Sequence, residues 1–251
     1  MTRLRVASAL VSAFTISVNA AEEIPVARFS DLTPGTDPPA EWKLSRFGNW
    51  PHLTHYSLVD DGGTVVLRAE AKGATAGLRK VIRIDPKRYP ILVWRWKVSN
   101  LIAKSDIHTQ SGDDFPARVF VGFDVNPATL PLSERVTLRF GRLLFGADIP
   151  PAALCYVWDG KTPVGTVLPN AFSDRVRMIV VRSGATDVGH WVNEARNVYE
   201  DYKRAFGSEP PMIDSITVAT DTDGTGEYAE AFYGDITFRS DQPTTGRNSA
   251  R

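Results

Sequence analysis

The sequence predicts a mostly β chain folded as an antiparallel β-sandwich or jelly roll. Three observations predict it. Apolar residues alternate with a period of two over much of the chain, Gly- and Asp-rich turns separate the alternating runs, and no strand–helix–strand rhythm occurs. The clearest run is Leu92 to Val98, where Leu92, Trp94, Trp96 and Val98 share one face and Val93, Arg95 and Lys97 the other. Alternate side chains of a strand point to opposite faces, so the two tryptophans belong in the core. In 117–124, Ala117, Val119, Val121 and Phe123 oppose Arg118, Phe120, Gly122 and Asp124. In 229–239, Phe232, Ile236 and Phe238 oppose Tyr233, Asp235, Thr237 and Arg239. Further strands are expected at 26–30, 41–47, 55–59, 78–84, 153–158, 175–182, 188–195 and 213–220. Asp60-Asp61-Gly62-Gly63, Asp85-Pro86, Asp159-Gly160, Ser183-Gly184 and Asp223-Gly224 supply turns.

Two segments depart from this pattern. Asn197 to Phe206 reads as one short helix, with Val198, Tyr202, Ala205 and Phe206 on one side and Gly207 as its stop. Residues 130–147 are amphipathic and ambiguous: Pro131 and Ser133 can start a helix carrying Val136, Phe140, Leu143 and Leu144, and two paired strands fit nearly as well. The Pro- and Gly-rich stretch 31–40 reads as a loop within one domain spanning 21–240, and 241–251 as a flexible polar tail.

The first twenty residues read as a secretion signal. Arg3 and Arg5 precede an apolar run from Val6 to Val18, and Val18-Asn19-Ala20 places small residues at a cleavage site after Ala20. The expectation is a periplasmic or secreted protein. No later apolar run approaches the length of a transmembrane helix. Lys+Arg and Asp+Glu are both 29, so no excess of positive charge favours nucleic acid. A single cysteine, Cys155, excludes a disulfide framework, and its apolar surroundings mark a buried thiol.

Gly-x-Ser-x-Gly, the phosphate-binding Gly-x-x-x-x-Gly-Lys and the dinucleotide fingerprint are all absent. His52 and His55 are spaced to share a metal only if other ligands join them. Carboxylates offer more. Asp221, Asp223 and Thr225 alternate around glycines and are candidate oxygen ligands for calcium, although position twelve from Asp221 is Phe232, which excludes an EF-hand. The alternative is a turn whose carboxylates accept backbone N–H groups. Asp235 lies nine residues beyond Gly226, about 30 Å along a straight strand, so it is expected to act separately. Its expected partner is Arg95, Lys97 or Arg118, on a polar face shared with Tyr233. Asp113 and Asp114, with Arg118 four residues on, are candidates for acid–base catalysis or for a plain ion pair. Aromatic groups flanked by Asp and Arg can form sugar platforms. Trp42, Trp50 and Trp191, with Arg95, Tyr233 and Asp235, are the candidate ligand-binding residues.

Several short motifs occur in order: Trp94-Arg95-Trp96-Lys97-Val98, Gly112-Asp113-Asp114-Phe115 with Arg118, and Tyr156-Val157-Trp158. Trp191 with Glu194-Ala195-Arg196, Asp201-Tyr202, Phe206-Gly207, Asp221-Thr222-Asp223 with Thr225-Gly226, and Tyr233-Gly234-Asp235 follow. Together, over roughly 26–239, they resemble the bacterial family called domain of unknown function 3047. That resemblance implies an exported single-domain protein and brings no established activity. Tyr233-Gly234-Asp235-Ile236 also resembles the last strand of galactose-binding-like jelly rolls, where an Asp at this place often helps hold calcium. Three functions stay open: an exported non-catalytic binder of a carbohydrate or other envelope ligand, a glycan hydrolase or lyase using Asp113 or Asp114 with Arg118, and a structural envelope protein with a protein partner.

Overall fold

The computed structural model describes residues 21–243 except 49, 127 and 129–150. The ambiguous segment 130–147 and the leader 1–20 therefore lie outside the described residues, as does the tail beyond Pro243. In chain order the strands are β1 (Ala21–Ala27), β2 (Trp42–Ser45), β3 (His55–Asp60), β4 (Val65–Lys72), β5 (Gly77–Ile84), β6 (Ile91–Val98), β7 (Ala117–Phe123), β8 (Ala152–Asp159), β9 (Val167–Asn170) and β10 (Ser173–Ser183). β11 (Val192–Asn197), helix α1 (Val198–Phe206), β12 (Ile213–Ala219) and β13 (Tyr228–Pro243) complete the described elements.

The strands form a sandwich. One sheet runs β11-β6-β13-β4-β3, with β1 paired to the far half of β13, and the other runs β2-β5-β12-β7-β8-β10-β9. All pairs are antiparallel except β8 with β10, so the second sheet is mixed. β9 follows β8 in sequence but sits outside β10, which lets β10 run parallel to β8. The four-residue β9 escaped the sequence reading because Pro169 and a length of two alternations hide its pattern. β13 runs on into the stretch expected to be a free tail, its Pro243 opposite Ala21 of β1.

The inner faces carry the core. Trp94 and Trp96 are buried, meeting edge to face at 5.4 Å between ring centroids. Tyr156 of β8 stacks on Trp94 at 5.3 Å and Trp158 packs on Trp96 at 6.0 Å, which locks one sheet to the other. α1 closes one end: Asn197 caps it by accepting the Glu200 amide at 3.0 Å, and Gly207 ends it at φ +70°.

A second, smaller apolar cluster lies on the outer face of the second sheet. Cys155 and Val157 of β8 and Met178 and Val180 of β10 are covered there by Ile107 and Phe115. Both come from the long connection between β6 and β7, residues 99–116, which forms a third layer over the sandwich.

β13 corrects one facing expectation. Its register against β6 shifts between Tyr233 and Ile236, so Gly234 and Asp235 bulge opposite Arg95. The extra residue moves Tyr233 into the core with Ile236 and Phe238, and turns Phe232 to the outer face.

Candidate functional site

Two places collect the residues that the sequence singled out. The first lies inside. β7 and β12 are antiparallel, with Arg118 opposite Ala219, so the chain entering β7 lies beside the chain leaving β12. That topology brings Asp113, Asp114 and Arg118 against Asp221 and Asp223. Asp221 accepts Arg118 Nη2 at 2.6 Å, Arg118 Nε at 3.0 Å and the Phe115 amide at 3.2 Å. Arg118 also reaches the Asp113 carboxylate at 3.3 Å and the Asp113 carbonyl. Asp114 is buried and accepts the amides of Thr225 at 2.6 Å and Gly224 at 3.2 Å.

Burial disfavours the Arg118 charge, but Asp113 and Asp221 outweigh it and hold the guanidinium above its ordinary value. Burial also pushes the Asp221 carboxyl up, against the pull of Arg118. Its oxygens accept only N–H donors, so the ionised form pairs with the guanidinium. Asp223 makes no ion pair among the described residues; burial, with Asp114 beside it, raises its carboxyl against the weaker pull of Arg118 and a hydrogen bond from Thr75.

Asp114, Asp221 and Asp223 each offer an oxygen, all within 4.8 Å of one another, a spacing that could hold a cation. The donor set argues against it. Asp114 and Asp221 already face backbone amides and a guanidinium, and the Thr225 hydroxyl accepts the Glu227 amide at 3.3 Å. The ring of donors fits a hydrogen-bonded clamp better than an oxygen cage. As a catalytic group, Arg118 with Asp113 and Asp114 is poorly placed: Arg118 is buried and bonded to Asp113 and Asp221, and Asp114 is buried and bonded to the Gly224 and Thr225 amides. Asp114's part in the trio was missed because its partners lie more than a hundred residues away. The signal that could have found it is the pairing of strands 117–123 and 213–219.

The second place is the outer face of the first sheet. There Arg95 and Lys97 of β6, Phe232 of β13 and Asn193 of β11 share one surface with Trp191, which immediately precedes β11. Arg95 lies 4.5 Å from the Trp191 ring centroid and Lys97 5.3 Å from it, with Lys97 also 4.5 Å from Phe232. Asp61, on the β3–β4 turn, accepts Trp191 Nε1 at 2.6 Å and Lys97 Nζ at 2.7 Å. Chiefly through the Lys97 bond, its carboxyl is held below the ordinary value. Further along the same face Arg68 binds Glu230 and Glu70, and Ser99 donates to Glu230.

The other aromatic candidates part company. Trp42 belongs to β2 and is buried against Phe29 at 5.5 Å, so it is no surface platform. Tyr233 is buried and donates to the Ala219 carbonyl at 2.6 Å, because the bulge turned it inward. Trp50 is exposed, its Nε1 donating to the Gly73 carbonyl at 2.9 Å. Asp235 binds none of the expected basic residues; it accepts the amide and hydroxyl of Ser30 at 3.0 and 2.5 Å, tying the bulge to the turn after β1. His55 approaches Glu70 at 3.9 Å, and among the described residues neither it nor His52 joins a metal-compatible group.

The sequence pattern of the protein family of unknown function DUF3047 matches residues 40–237. The chain belongs to that family. No curated protein matches it. Among solved structures, the family 11 carbohydrate-binding module of the cellulosomal cellulase Lic26A-Cel5E of Clostridium thermocellum is similar at 8% identity and TM-score 0.42, covering 88% of this chain and 96% of that one. The glycoside hydrolase domain of Endo-D from Streptococcus pneumoniae R6 is similar at 10% identity and TM-score 0.32, over 78% of this chain and 21% of that one. The cellulose-induced protein Cip1 is similar at 11% identity and TM-score 0.32, over 78% and 89%. In this DUF3047 member, Trp191, Arg95, Asp113, Asp114, Arg118, Asp221 and Asp223 all fall within the matched span.

Proposed function

We propose that this DUF3047 protein is an exported, non-catalytic β-sandwich that binds a carbohydrate on the outer face of its first sheet. Residues 1–20 serve as its secretion signal. The observation that carries the reading is Trp191. Its indole is half-buried, fixed through Nε1 to Asp61, and has Arg95 and Lys97 against its ring. A fixed aromatic ring beside a guanidinium, an ammonium and a carboxylate suits a pyranose, whose faces are apolar and whose rim carries hydroxyls. The interior carboxylates support a non-catalytic role, because Asp114 and Asp221 are buried and hold backbone amides or Arg118 in place.

The test is a glycan array probed with protein from the exported fraction, its intact mass beginning at Ala21. Wild-type protein should bind at least one glycan class, and Trp191→Ala should lose that binding by at least about tenfold with its fold retained. Undiminished binding by Trp191→Ala would move the site elsewhere. Turnover of any arrayed glycan, lost in Asp114→Asn, would favour the hydrolase or lyase reading instead.

A further inference from the structure

We infer that the ligand of this face is an acidic glycan carrying hexuronate carboxylates, and that Arg95 is the residue that recognises the carboxylate. The inference rests on the carbohydrate reading above and adds the charge of the ligand. Its basis is a contrast among cations. Arg68 meets Glu230 at 2.6 Å, Lys97 meets Asp61 at 2.7 Å, Arg182 meets Glu194 at 2.6 Å and Arg196 meets Asp201 at 2.6 Å. The Arg95 guanidinium makes no hydrogen bond or ion pair with any described residue.

It is nonetheless held in place. One side lies against the Trp191 ring. On the other side a Cβ at Gly234 would come within 2.5 Å of Arg95 Cγ and Nε, so the glycine in the β13 bulge makes room for this side chain. A guanidinium presents five N–H donors in a rigid fork that matches a carboxylate through two parallel bonds. Ordering that fork before the ligand arrives lowers the entropic cost of binding.

The surroundings decide the sign of the ligand. Asp61 would repel an anion, but Lys97 and the Trp191 N–H hold its charge at 2.6–2.7 Å. Arg95 therefore presents a guanidinium that no carboxylate among the described residues pairs with directly, although Asp61 feels its charge. Asn193, exposed and directly opposite Arg95 in the β11–β6 register, offers an amide to a neighbouring hydroxyl. Trp191 and Phe232, both half-buried, place aromatic rings beside the fork, with Lys97 lying against each of them.

Calorimetry with tetragalacturonate and β-1,4-linked tetraglucuronate, each beside its carboxyl-reduced neutral counterpart and a sulfate ester of that counterpart, tests this. At least one acid should bind about tenfold or more tightly than its neutral counterpart, with the advantage shrinking as salt rises. Arg95→Gln should collapse that ratio to near one, and Arg95→Lys, which keeps charge but loses the fork, should retain only part of it. Circular dichroism of both variants checks that they fold. Equal binding of acid and neutral sugars, or an acid preference that persists in Arg95→Gln, would overturn the inference. A sulfate ester that binds as tightly as the acid would overturn the carboxylate assignment. If neutral sugars bind and Trp191→Ala removes them, the carbohydrate reading stands while the acidic one falls; if no oligosaccharide binds, both fall.

Discussion

Four carboxylates and one guanidinium share the interior between the entrance to β7 and the exit from β12, and their roles differ by what each one faces. Asp113 and Asp221 meet Arg118, and Asp114 meets two backbone amides, whereas Asp223 is left with a raised carboxyl beside Asp114. A carboxyl whose folded-state pKa lies above its unfolded value costs stability once it ionises. That cost is absent below the unfolded value of about 3.9, grows as pH rises, and is fully present above the folded value. Asp223→Asn, which keeps an acceptor for neighbouring donors, should therefore raise the melting temperature at pH 7, and the gain should vanish towards about pH 4. A gain independent of pH would point to packing rather than charge. In the same experiment, millimolar calcium added to chelator-stripped wild-type protein should leave the melting temperature unchanged; a rise would show a cation relieving the charge instead. The acidic nature of this turn was legible in Asp221-Thr222-Asp223. The identity of its third carboxylate was not, because Asp114 is brought there by strand pairing and not by spacing along the chain.

Strands show where period-two reasoning holds and where it stops. In β6 the alternation is unbroken, and the face containing Leu92, Trp94, Trp96 and Val98 is buried throughout. Trp96→Ala should cost on the order of 3–5 kcal/mol, since Trp158 and Trp94 stay behind around the void. Urea unfolding measures this, and an unchanged midpoint would mean that Trp96 is not a core residue. In β13 the same reasoning misplaces Tyr233, because one extra residue at Gly234–Asp235 resets the alternation. No residue pattern in Tyr233-Gly234-Asp235 marks the bulge except the glycine itself. That glycine is needed because Arg95 crosses the strand there, and Asp235 is then free to turn to Ser30. The same irregularity that defeated the facing assignment thus shapes the outer surface on which Arg95 lies against Trp191.

At the scale of the molecule, the sandwich was legible because most of the thirteen strands among the described residues leave a repeated local signature, while the third layer was not. Residues 99–116 carry no periodicity, and their position follows from tertiary contacts alone. Ile107 and Phe115 cover Cys155, and the layer is fastened at its end by Asp114 to the amides of Gly224 and Thr225. Arg118 rises from the sheet below to hold the Asp113 carbonyl. Cys155 is therefore a reporter of whether this layer stays closed. It is buried, and burial pushes its thiol well above the ordinary range, so neither access nor thiolate favours reaction in the closed state. Labelling then proceeds through local opening, whose population depends on how firmly the layer is held. Removing the Asp114 carboxylate leaves two amides without their acceptor, a loss of about 1–3 kcal/mol for buried groups. Converted to a population, that is about five- to 160-fold more of the open form. Asp114→Ala should accordingly accelerate alkylation of Cys155 by a factor in that range while the far-ultraviolet circular dichroism remains that of the wild type. Equal labelling rates would show that the layer is held by its apolar contacts and that the carboxylate clamp is dispensable to it.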